Sequence, residues 1–476
     1  MKNDRLRRFT GLAVIALTTL AAAGLMLVVI AADPGEFARP HRLQVADGWS
    51  LLYDDHMPPW LLVLLAVVLT VVIGTAIGGF ESFVANRSRR SPEGALKRPI
   101  SPRTIMAATR GVYAGEVTVT VLIPAHNEEK SLPITLASLK AQSTPPDRIL
   151  VVADNCTDGT VQVARDAGAD VIETVDNRHK KAGGLNQALR GLLPHLGDND
   201  TVMVMDADTA LSDRFIEIAK ARFTADRALM AVGGLFHGEP GHGLLGQFQR
   251  NEYTRYSREI ERRRGRVFVL TGAASLFRPA ALRAVADSRG TLIPGVPGDV
   301  YDTVALTEDN ELTIAIKSLG GLMTSPRDCT VVTELMPTWG MLWKQRLRWQ
   351  RGAIENLAAY GVTPTTVRYW AQQIGIGYSV IALASYFLLI FLTVVALDEF
   401  VWFPFWITVG SVFVLERLVT VWRGGWRARV LSVFVLPELV FDMFLNVVFV
   451  KGIIDMSFGR EAGWSHLTTA AKETSA

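Results

Sequence analysis

The sequence is poor in cysteine, and this absence excludes several kinds of site. Only two of its 476 residues are cysteines, Cys156 and Cys329, and neither has a histidine or cysteine neighbour at metal-ligand spacing. Zinc fingers, iron–sulfur clusters and a disulfide scaffold are therefore excluded, and we expect both thiols to be small buried residues. The first candidate strand, at 118–123, is not followed by a G-x-G-x-x-G pattern, which excludes a nucleotide-binding dehydrogenase.

The chain also lacks an excess of charge of either sign. Its 49 Lys and Arg residues nearly balance its 46 Asp and Glu residues, which gives a net charge of +3 and a pI near 8.8. So small an imbalance over this length predicts no nucleic-acid partner. With 49% hydrophobic residues, 20% charged residues and a mean hydropathy of +0.24, the chain is too apolar for an ordinary soluble protein and too charged to lie wholly in lipid. We expect one part in a membrane and one part in water.

Long apolar runs stand on both sides of a polar middle section. A helix needs about 20 apolar residues to span a bilayer, and runs of this kind occur at 10–31, 59–80, 375–397, 401–420 and 430–450. A signal peptide is an alternative for the first run, but its apolar core is longer than the roughly 7–15 residues that a signal uses, which favours an uncleaved anchor. The expected parts outside the polar middle are an N-terminal anchor with two transmembrane helices at 1–80, a cytoplasmic linker at 81–116, C-terminal transmembrane helices at 375–456 and a tail at 457–476.

Basic residues predict the topology of these runs. Lys2 to Arg8 precede the first run and Arg87 to Arg98 follow the second, and such clusters remain in the cytoplasm. We therefore expect a multi-pass protein of the cell inner (plasma) membrane with its polar middle in the cytoplasm and 32–58 outside.

The last apolar run is interrupted by polar residues, namely Pro437, Glu438, Asp442 and Asn446. Such residues in a membrane segment face a protein interior or a water-filled cavity. The run would be a full crossing, a re-entrant segment or the lining of a polar pathway, and the side on which the C-terminus lies stays open.

Residues 117–337 alternate short β-branched runs with amphipathic stretches, which predicts an α/β domain with a mostly parallel sheet and helices on both faces. The candidate strands are 118–123, 148–153, 170–175, 201–205, 229–234 and 267–271. The candidate helices are 131–142, 160–168, 182–196, 212–223 and 307–318. Ligands of such sheets bind at the carboxyl ends of the strands, so the polar residues after each strand are candidates for a site.

Two carboxylates follow the candidate strand 201–205. Asp206 and Asp208 are separated by one residue, and they repel one another unless a cation or a hydrogen-bond donor lies between them. A hard divalent metal ion shared with phosphates is the simplest explanation. The acidic residues after the second strand, Asp154 and Asp158, have a plainer alternative as helix N-caps.

A third group of candidates lies in 338–374, which we expect to form interfacial helices. Gln345, Arg348 and Trp349 are spaced i, i+3, i+4 and fall on one helical face. The guanidinium suits a diphosphate and the indole suits the apolar face of a sugar ring. The alternative is an amphipathic helix at the membrane surface, with snorkelling arginines and anchoring tryptophans at Arg346, Arg348, Arg351, Trp339, Trp343 and Trp349. Both interpretations can hold together.

The order of these motifs resembles the processive family 2 glycosyltransferases, which include cellulose, hyaluronan, chitin and poly-N-acetylglucosamine synthases. The resemblance covers about 120–352 and rests on Asp154, Asp206-Ala207-Asp208, Thr307-Glu308-Asp309 and Gln345-x-x-Arg348-Trp349. It implies a GT-A fold inserted between transmembrane helices, and a nucleotide-diphosphate sugar as donor.

The resemblance also implies roles for single residues. Pro124 to Glu128, with Asn127 between them, and Asp154 would hold the base and ribose of the donor, and Lys181 would lie near the diphosphate. Asp206 and Asp208 would bind Mg²⁺ or Mn²⁺, with Asp206 also contacting the donor, and Asp309 would be the general base. Gln345 and Arg348 would contact the diphosphate, Trp349 would stack on the acceptor sugar, and Thr271 to Ser275 would lie beneath the acceptor. The chain departs from the family pattern at His126, where tyrosine is common, and at Ala153, where a second aspartate often stands.

The function implied is a membrane-embedded inverting glycosyltransferase. It would use a UDP-sugar, UDP-N-acetylglucosamine or UDP-glucose, to polymerise a β-linked polysaccharide and pass it across the membrane. Its expected partners are the donor, a growing glycan or lipid acceptor, and membrane lipids. One alternative transfers a single sugar to a membrane lipid. Another, from a different class, is a binding or export subunit with an inactive transferase domain, although every expected acidic position is filled.

Overall fold

The computed structural model describes residues 41–44, 50–53, 98–109, 115–262, 265, 267–396, 401–402 and 404–460. The predicted spans 10–31 and 59–80 lie outside these residues, as does most of the linker.

Strands and helices alternate along the chain. The strands are β1 (His41–Gln44), β2 (Ser50–Tyr53), β3 (Thr118–Ala125), β4 (Arg148–Ala153), β5 (Asp170–Glu173), β6 (Asp200–Met205), β7 (Ala210–Leu211), β8 (Leu229–Gly233), β9 (Leu235–Gly238), β10 (Ala274–Phe277), β11 (Leu322–Thr324), β12 (Thr330–Thr333) and β13 (Val401–Trp402). The helices are α1 (Pro102–Ala108), α2 (Leu132–Lys140), α3 (Thr160–Asp166), α4 (Lys180–Leu192), α5 (Phe215–Ala225), α6 (Gly243–Arg262), α7 (Pro279–Ser288), α8 (Glu308–Ser318), α9 (Trp339–Tyr360), α10 (Val367–Ala396), α11 (Pro404–Thr420), α12 (Gly425–Val433) and α13 (Val435–Ser457).

The largest sheet has seven strands in the order β11-β8-β10-β6-β3-β4-β5. All its pairings are parallel except those of β10, which runs antiparallel to both β6 and β8. The prediction of a mostly parallel sheet is therefore confirmed. Two smaller sheets, β7-β12-β9 and β1-β2-β13, complete the strand pairing of the described residues.

The prediction of a strand at 267–271 is wrong. The strand that enters the sheet begins at Ala274, and the backbone of 267–271 is bonded by side chains instead of a neighbouring strand. The N–H of Leu270 donates to the hydroxyl of Thr313 at 2.9 Å, and Lys317 donates to the carbonyls of residues 267 and 268. Val267 and Leu270 are still buried, so the apolar pattern correctly indicated burial but not pairing.

Helices cover both faces of the large sheet. Strand residues such as Leu122 and Val204 pack with side chains of α4, α7 and α8 on one face. The alternate residues, such as Val121 and Met203, pack with side chains of α2 and α5 on the other. Because successive strand residues point to opposite faces, these near-continuous apolar strands bury both sides, as parallel sheets do.

The C-terminal helices differ from the predicted spans. Residues 375–396 of the first run lie within the longer α10, 401–420 largely coincides with α11, and 430–450 is divided between α12 and α13. Among the residues that the structure describes, no helix by itself has the length and apolar character for a bilayer crossing. One pair, Trp422–Val433 and Val435–Ser457, meets that test jointly but is bent by 94° at its break. The side of α13 that bears Phe449, Ile453 and Met456 packs against Ile354 of α9.

Candidate active site

The carboxyl ends of β3, β4 and β6 lie side by side because these strands are parallel neighbours. Nδ1 of His126, after β3, lies 2.6 Å from the carbonyl oxygen of Asp154, after β4. After β6, the N–H of Asp206 donates to the carbonyl of Ala273 at 3.0 Å. The residues that follow the predicted strands therefore meet at one edge of the sheet.

Asp154 is buried and held by three donors. Its Oδ1 accepts hydrogen bonds from Asn155 Nδ2 at 3.0 Å, Thr174 Oγ1 at 2.7 Å and Asn177 Nδ2 at 2.8 Å. Its Oδ2 has no hydrogen-bond partner within the described part of the chain. This arrangement fixes the carboxyl group and leaves one oxygen able to accept from a ligand N–H, so Asp154 is more than a helix cap.

The loop after β3 joins the loop after β4. Pro124 is the penultimate residue of β3, and Asn127 follows with a left-handed backbone, φ 59°. The Oδ1 of Asn127 accepts from the N–H of Thr157 at 2.7 Å. Glu128 accepts from the hydroxyl of Ser131, and burial raises the pKa of its carboxyl group. The side chain of Asn127 thus links the loop after β3 to the loop after β4. Glu128, the next residue, adds a partly buried carboxylate.

Lys181 joins two acidic segments. Its Nζ lies 2.6 Å from Oδ1 of Asp206 and 3.0 Å from Oε1 of Glu308. Burial alone would lower the pKa of Lys181, but the two carboxylates raise it well above its ordinary value. The ammonium group is therefore a fixed positive charge between β6 and the start of α8.

Asp309 is the second residue of α8 and lies next to this ion pair. Its Oδ2 accepts from the N–H of Gly272 at 3.0 Å, and its Oδ1 accepts from the N–H of Asn310 at 2.7 Å. Burial, and then the adjacent charge of Glu308, raise the pKa of Asp309 to about 6. Lys181, Gly272, Tyr301 and Asp309 are among the residues that line a small cavity here. A carboxylate with a pKa near neutrality in a cavity has the properties of a general base.

Asp206 and Asp208 form a crowded acidic pair. Burial, followed by the charge of Asp206, raises the pKa of Asp208 to about 7, and Thr209 donates to Asp208 at 3.2 Å. Among the described residues, no group of three or more histidine, cysteine or acidic side chains is arranged to hold a metal ion. Mg²⁺ and Mn²⁺ sites that include substrate phosphates use only one or two protein carboxylates, so the oxygen donors of this pair fit such an ion.

Helix α9 brings the Gln345, Arg348 and Trp349 face towards this centre. Nδ2 of Asn356 donates to the carbonyl of Thr307 at 3.2 Å, which ties α9 to the start of α8. Burial acts to raise the pKa of Glu308, but Lys181 and, to a smaller extent, the charge of Arg348 act in the opposite direction, so that the pKa is lowered. The buried Oε1 of Gln345 has no hydrogen-bond partner in the part of the chain that is described. The helix thus adds a cation that acts on Glu308, and it carries an unpaired amide oxygen three residues before that cation, on the same helical face.

The alternative of snorkelling arginines does not apply to Arg346 and Arg351. Both are buried, and they pair with Glu252 at 2.9 Å and Glu355 at 2.6 Å. Trp339 and Trp343 contact the ring of Phe444 in α13, with ring centres 5.0 and 5.8 Å apart. Arg346 and Arg351 therefore face protein, whereas Trp339 remains 45% exposed, so an interfacial position of the tryptophans stays a prediction.

A family profile decides the classification. The profile described as glycosyltransferase like family 2 matches residues 116–352. The chain contains a glycosyltransferase family 2 domain. Its mixed sheet with helices on both faces is the GT-A fold, and the family resemblance of the sequence is confirmed.

Curated relatives of this family 2 domain include two poly-β-1,6-N-acetyl-D-glucosamine synthases. The one from Staphylococcus aureus (strain COL) is 26% identical over 246 residues, which are 50% of this chain and 55% of that protein. The one from Staphylococcus epidermidis is 26% identical over 248 residues, with the same coverage. The chain thus spans about half the length of these relatives.

Solved structures with a similar fold include two enzymes. A mannosyltransferase from Pyrobaculum calidifontis, in complex with GDP-Man and Mn²⁺, has a TM-score of 0.48 and 18% identity, covering 83% of this chain and 99% of that one. Glucosyl-3-phosphoglycerate synthase from Mycobacterium tuberculosis, in complex with Mg²⁺ and UDP, has a TM-score of 0.36 and 18% identity, covering 55% and 84%.

Several residues of the family 2 domain were not predicted as site residues. Glu308 pairs with Lys181, and Tyr301 lines the cavity at Asp309. Asn186 positions Tyr301, because its side chain bonds both the N–H and the carbonyl of Tyr301 at 2.9 Å. Glu308 and Asn186 stand in motifs visible in the sequence, whereas Tyr301 lies in a loop without a local signal.

Proposed function

We propose that the protein is an inverting, membrane-embedded glycosyltransferase that polymerises a β-linked polysaccharide from a UDP-sugar and passes it across the membrane. The observation that carries the proposal is the position of Asp309, a half-buried carboxylate with a raised pKa that lines the cavity beside the Lys181 ion pair. A base, a cation and an acidic pair at one edge of a GT-A sheet are the groups that glycosyl transfer needs.

In the proposed reaction, Asp309 accepts the proton of an acceptor hydroxyl. The hydroxyl oxygen forms a bond to the anomeric carbon of the donor as the bond from that carbon to the diphosphate oxygen breaks, and the diphosphate leaves with the electron pair. Attack opposite the leaving group inverts the anomeric carbon. Lys181 and Arg348 neutralise the diphosphate, and Trp349 stacks on the acceptor ring.

Asp206 and Asp208 would hold Mg²⁺ or Mn²⁺, which when bound neutralises charge on the leaving diphosphate. Asp154 would accept from the nucleobase through Oδ2, and Gln345 would contact the diphosphate by its amide. Pro124, Asn127 and Glu128 would shape the pocket for base and ribose.

The proposal includes the domain division and topology expected from the sequence, with the catalytic domain in the cytoplasm and the protein in the cell inner membrane. Large apolar side chains are exposed on the C-terminal helices, such as Phe391, Phe413, Phe434 and Val440. An extensive apolar surface of this kind supports contact with lipid. β13 pairs with β2, which brings 401–402 next to 50–53 and supports a position of both on the outer side, where the charge distribution places 32–58.

The relatives named as poly-N-acetylglucosamine synthases favour UDP-N-acetylglucosamine as donor and a polymer as product. The test is to purify the protein in nanodiscs and measure UDP release with Mn²⁺ from UDP-N-acetylglucosamine, UDP-glucose and UDP-glucuronate. The product is then sized by electrophoresis, and its appearance inside or outside sealed vesicles is followed. We expect one preferred donor and a high-molecular-weight glycan.

Two results would contradict this function. Release of no nucleotide from any of the donors would indicate a binding or export subunit. A single-sugar glycolipid as the only product would indicate transfer to a membrane lipid instead of polymerisation.

A further inference from the structure

Arg346 contacts two aromatic rings inside the protein. Its central guanidinium carbon lies over the ring of Trp349, 4.3 Å from the ring centre, and over the ring of Tyr253 in α6, at 5.7 Å. Its Nη2 donates to Oε2 of Glu252 at 2.9 Å. We call these four residues the Arg346 cluster. Arg346 is only 4% exposed, so its charge is compensated within the cluster.

The cluster is built so that the indole has one covered face. A guanidinium is planar and weakly hydrated, so it stacks on an aromatic face in a way that an ammonium group cannot. Glu252 fixes the guanidinium from the neighbouring helix α6 through a charge-assisted hydrogen bond. Trp349 itself remains partly exposed, which leaves indole surface for a ligand.

Arg346 and Arg348 point to different sides of α9, because residues two apart on a helix do not share a face. Arg346 faces α6 through Glu252 and Tyr253. Arg348 acts electrostatically on Lys180 and Glu308 near the acidic pair. Arg348 therefore lies on the side of α9 that faces the acidic residues, and Arg346 lies on the side that faces α6, where it covers one face of the Trp349 indole.

We propose that Arg346 is the positioning residue of Trp349: it lies over one face of the indole and so presents the opposite face to the acceptor sugar. Glu252 and Tyr253 hold the guanidinium in this place. The inference rests on the proposed function, in which Trp349 stacks on the acceptor. It predicts that loss of Arg346 weakens use of the acceptor and leaves use of the donor intact.

The experiment compares Arg346→Lys and Arg346→Met with wild type in nanodiscs. Arg346→Lys keeps a positive charge for Glu252 but loses the planar stack, so it remains informative where Arg346→Met fails to fold. Lys344→Met is the matched control, because Lys344 is an exposed cation on the same helix. Initial rates are measured against the concentration of the preferred UDP-sugar and of a short N-acetylglucosamine oligomer as acceptor. Slow hydrolysis of the donor without acceptor is measured separately.

We expect Arg346→Lys to raise the acceptor KM about tenfold, the loss typical of one desolvated cation–π contact. The donor KM and the acceptor-free hydrolysis should stay within about twofold of wild type, because those steps do not use the indole face. Lys344→Met should match wild type in all three quantities.

The outcomes separate the inference from the function on which it rests. An active wild type whose Arg346→Lys variant keeps the acceptor KM overturns the inference alone. An equal loss of donor hydrolysis and acceptor use also overturns it, because Arg346 would then act on the donor site or on folding. A wild type that cleaves no sugar nucleotide overturns the proposed function, and the inference falls with it.

Discussion

The ammonium nitrogen of Lys181 lies 2.6 Å from Oδ1 of Asp206, the first carboxylate of the acidic pair after β6. A divalent ion held by this pair would therefore compete with Lys181 for the same carboxylate. The arrangement compensates the acidic charges before the donor arrives.

Lys181→Met should therefore tighten binding of Mn²⁺ in the absence of nucleotide by about tenfold, because Asp206 and Glu308 lose their counter-charge. Turnover should fall, since the diphosphate loses a cation. Mn²⁺ titration followed by electron paramagnetic resonance measures the first effect. Lys180→Met is the control, because Lys180 is the adjacent lysine and the neighbouring charge that acts on it is that of Arg348. Weaker Mn²⁺ binding to Lys181→Met would contradict this account.

The activity should decline in acid with a midpoint near the pKa of Asp309, about 6. The carboxyl group accepts the acceptor proton only when ionised, so kcat falls as the pH falls through this value. Glu308 raises this pKa by its charge, as Asp206 does to a smaller extent, and Lys181 lowers it. Glu308→Gln removes one raising charge, so the midpoint should move to lower pH. A pH profile of kcat measures the shift, and a midpoint that moves upward would contradict the assignment.

Gly272 allows its backbone to approach Asp309 closely. A Cβ at this position would lie 3.3 Å from Oδ2 of Asp309 and would displace a carboxylate that the N–H of residue 272 binds. Gly272→Ala should lower kcat by roughly tenfold or more, as a small misplacement of a reacting group does, without unfolding the protein.

Gly191→Ala in α4 is the matched control for this substitution, because, apart from the backbone of its own helix, no described atom lies within 4 Å of a Cβ at residue 191. Alanine also favours the helix, so its activity should equal wild type. Equal activity of the two alanine variants would show that the approach at Gly272 is not required.

The buried pair Arg289 and Glu311 should contribute strongly to stability. Arg289 is fully buried, and its Nη1 and Nη2 donate to the two oxygens of Glu311 at 2.5 and 2.8 Å, while Tyr360 donates to Glu311 at 2.5 Å. Arg289→Met leaves a buried carboxylate unpaired and should lower the free energy of unfolding by about 3–5 kcal/mol. Arg289→Met with Glu311→Leu should recover much of the loss.

Denaturant unfolding in detergent measures this effect. Arg148→Met, which breaks the exposed pair with Asp170, is the control and should cost at most about 1 kcal/mol. A loss at Arg289 no larger than the loss at Arg148 would contradict the prediction.

The periodicity of the sequence predicted most of the parallel strands, because each is a short, β-branched run that buries both faces. It failed at 267–271, where the residues are equally apolar but Thr313 and Lys317, distant in sequence, bind the backbone. Local patterns carry no information about such a long-range partner.

The same limit applies to the site. Asp154, Asp206, Asp208 and Asp309 could be predicted as candidates because they follow strands or lie at the start of a helix in motifs of recognisable order, and their roles stay predictions. Tyr301 and Glu252 were missed because they reach the site only through tertiary packing, on a loop and on α6. The contact between Arg346 and Trp349 follows from helical spacing, yet the spacing does not reveal that Glu252 holds the arginine.

The most direct test of the account is turnover and donor binding by Asp309→Asn. The substitution keeps the shape of the side chain and removes its ability to accept a proton. We expect the rate of UDP release with acceptor to fall by about 10²–10⁴-fold while the donor Kd stays near the wild-type value. Asp287→Asn, at an exposed aspartate of α7, is the control and should retain full activity. Wild-type turnover by Asp309→Asn would contradict the central claim.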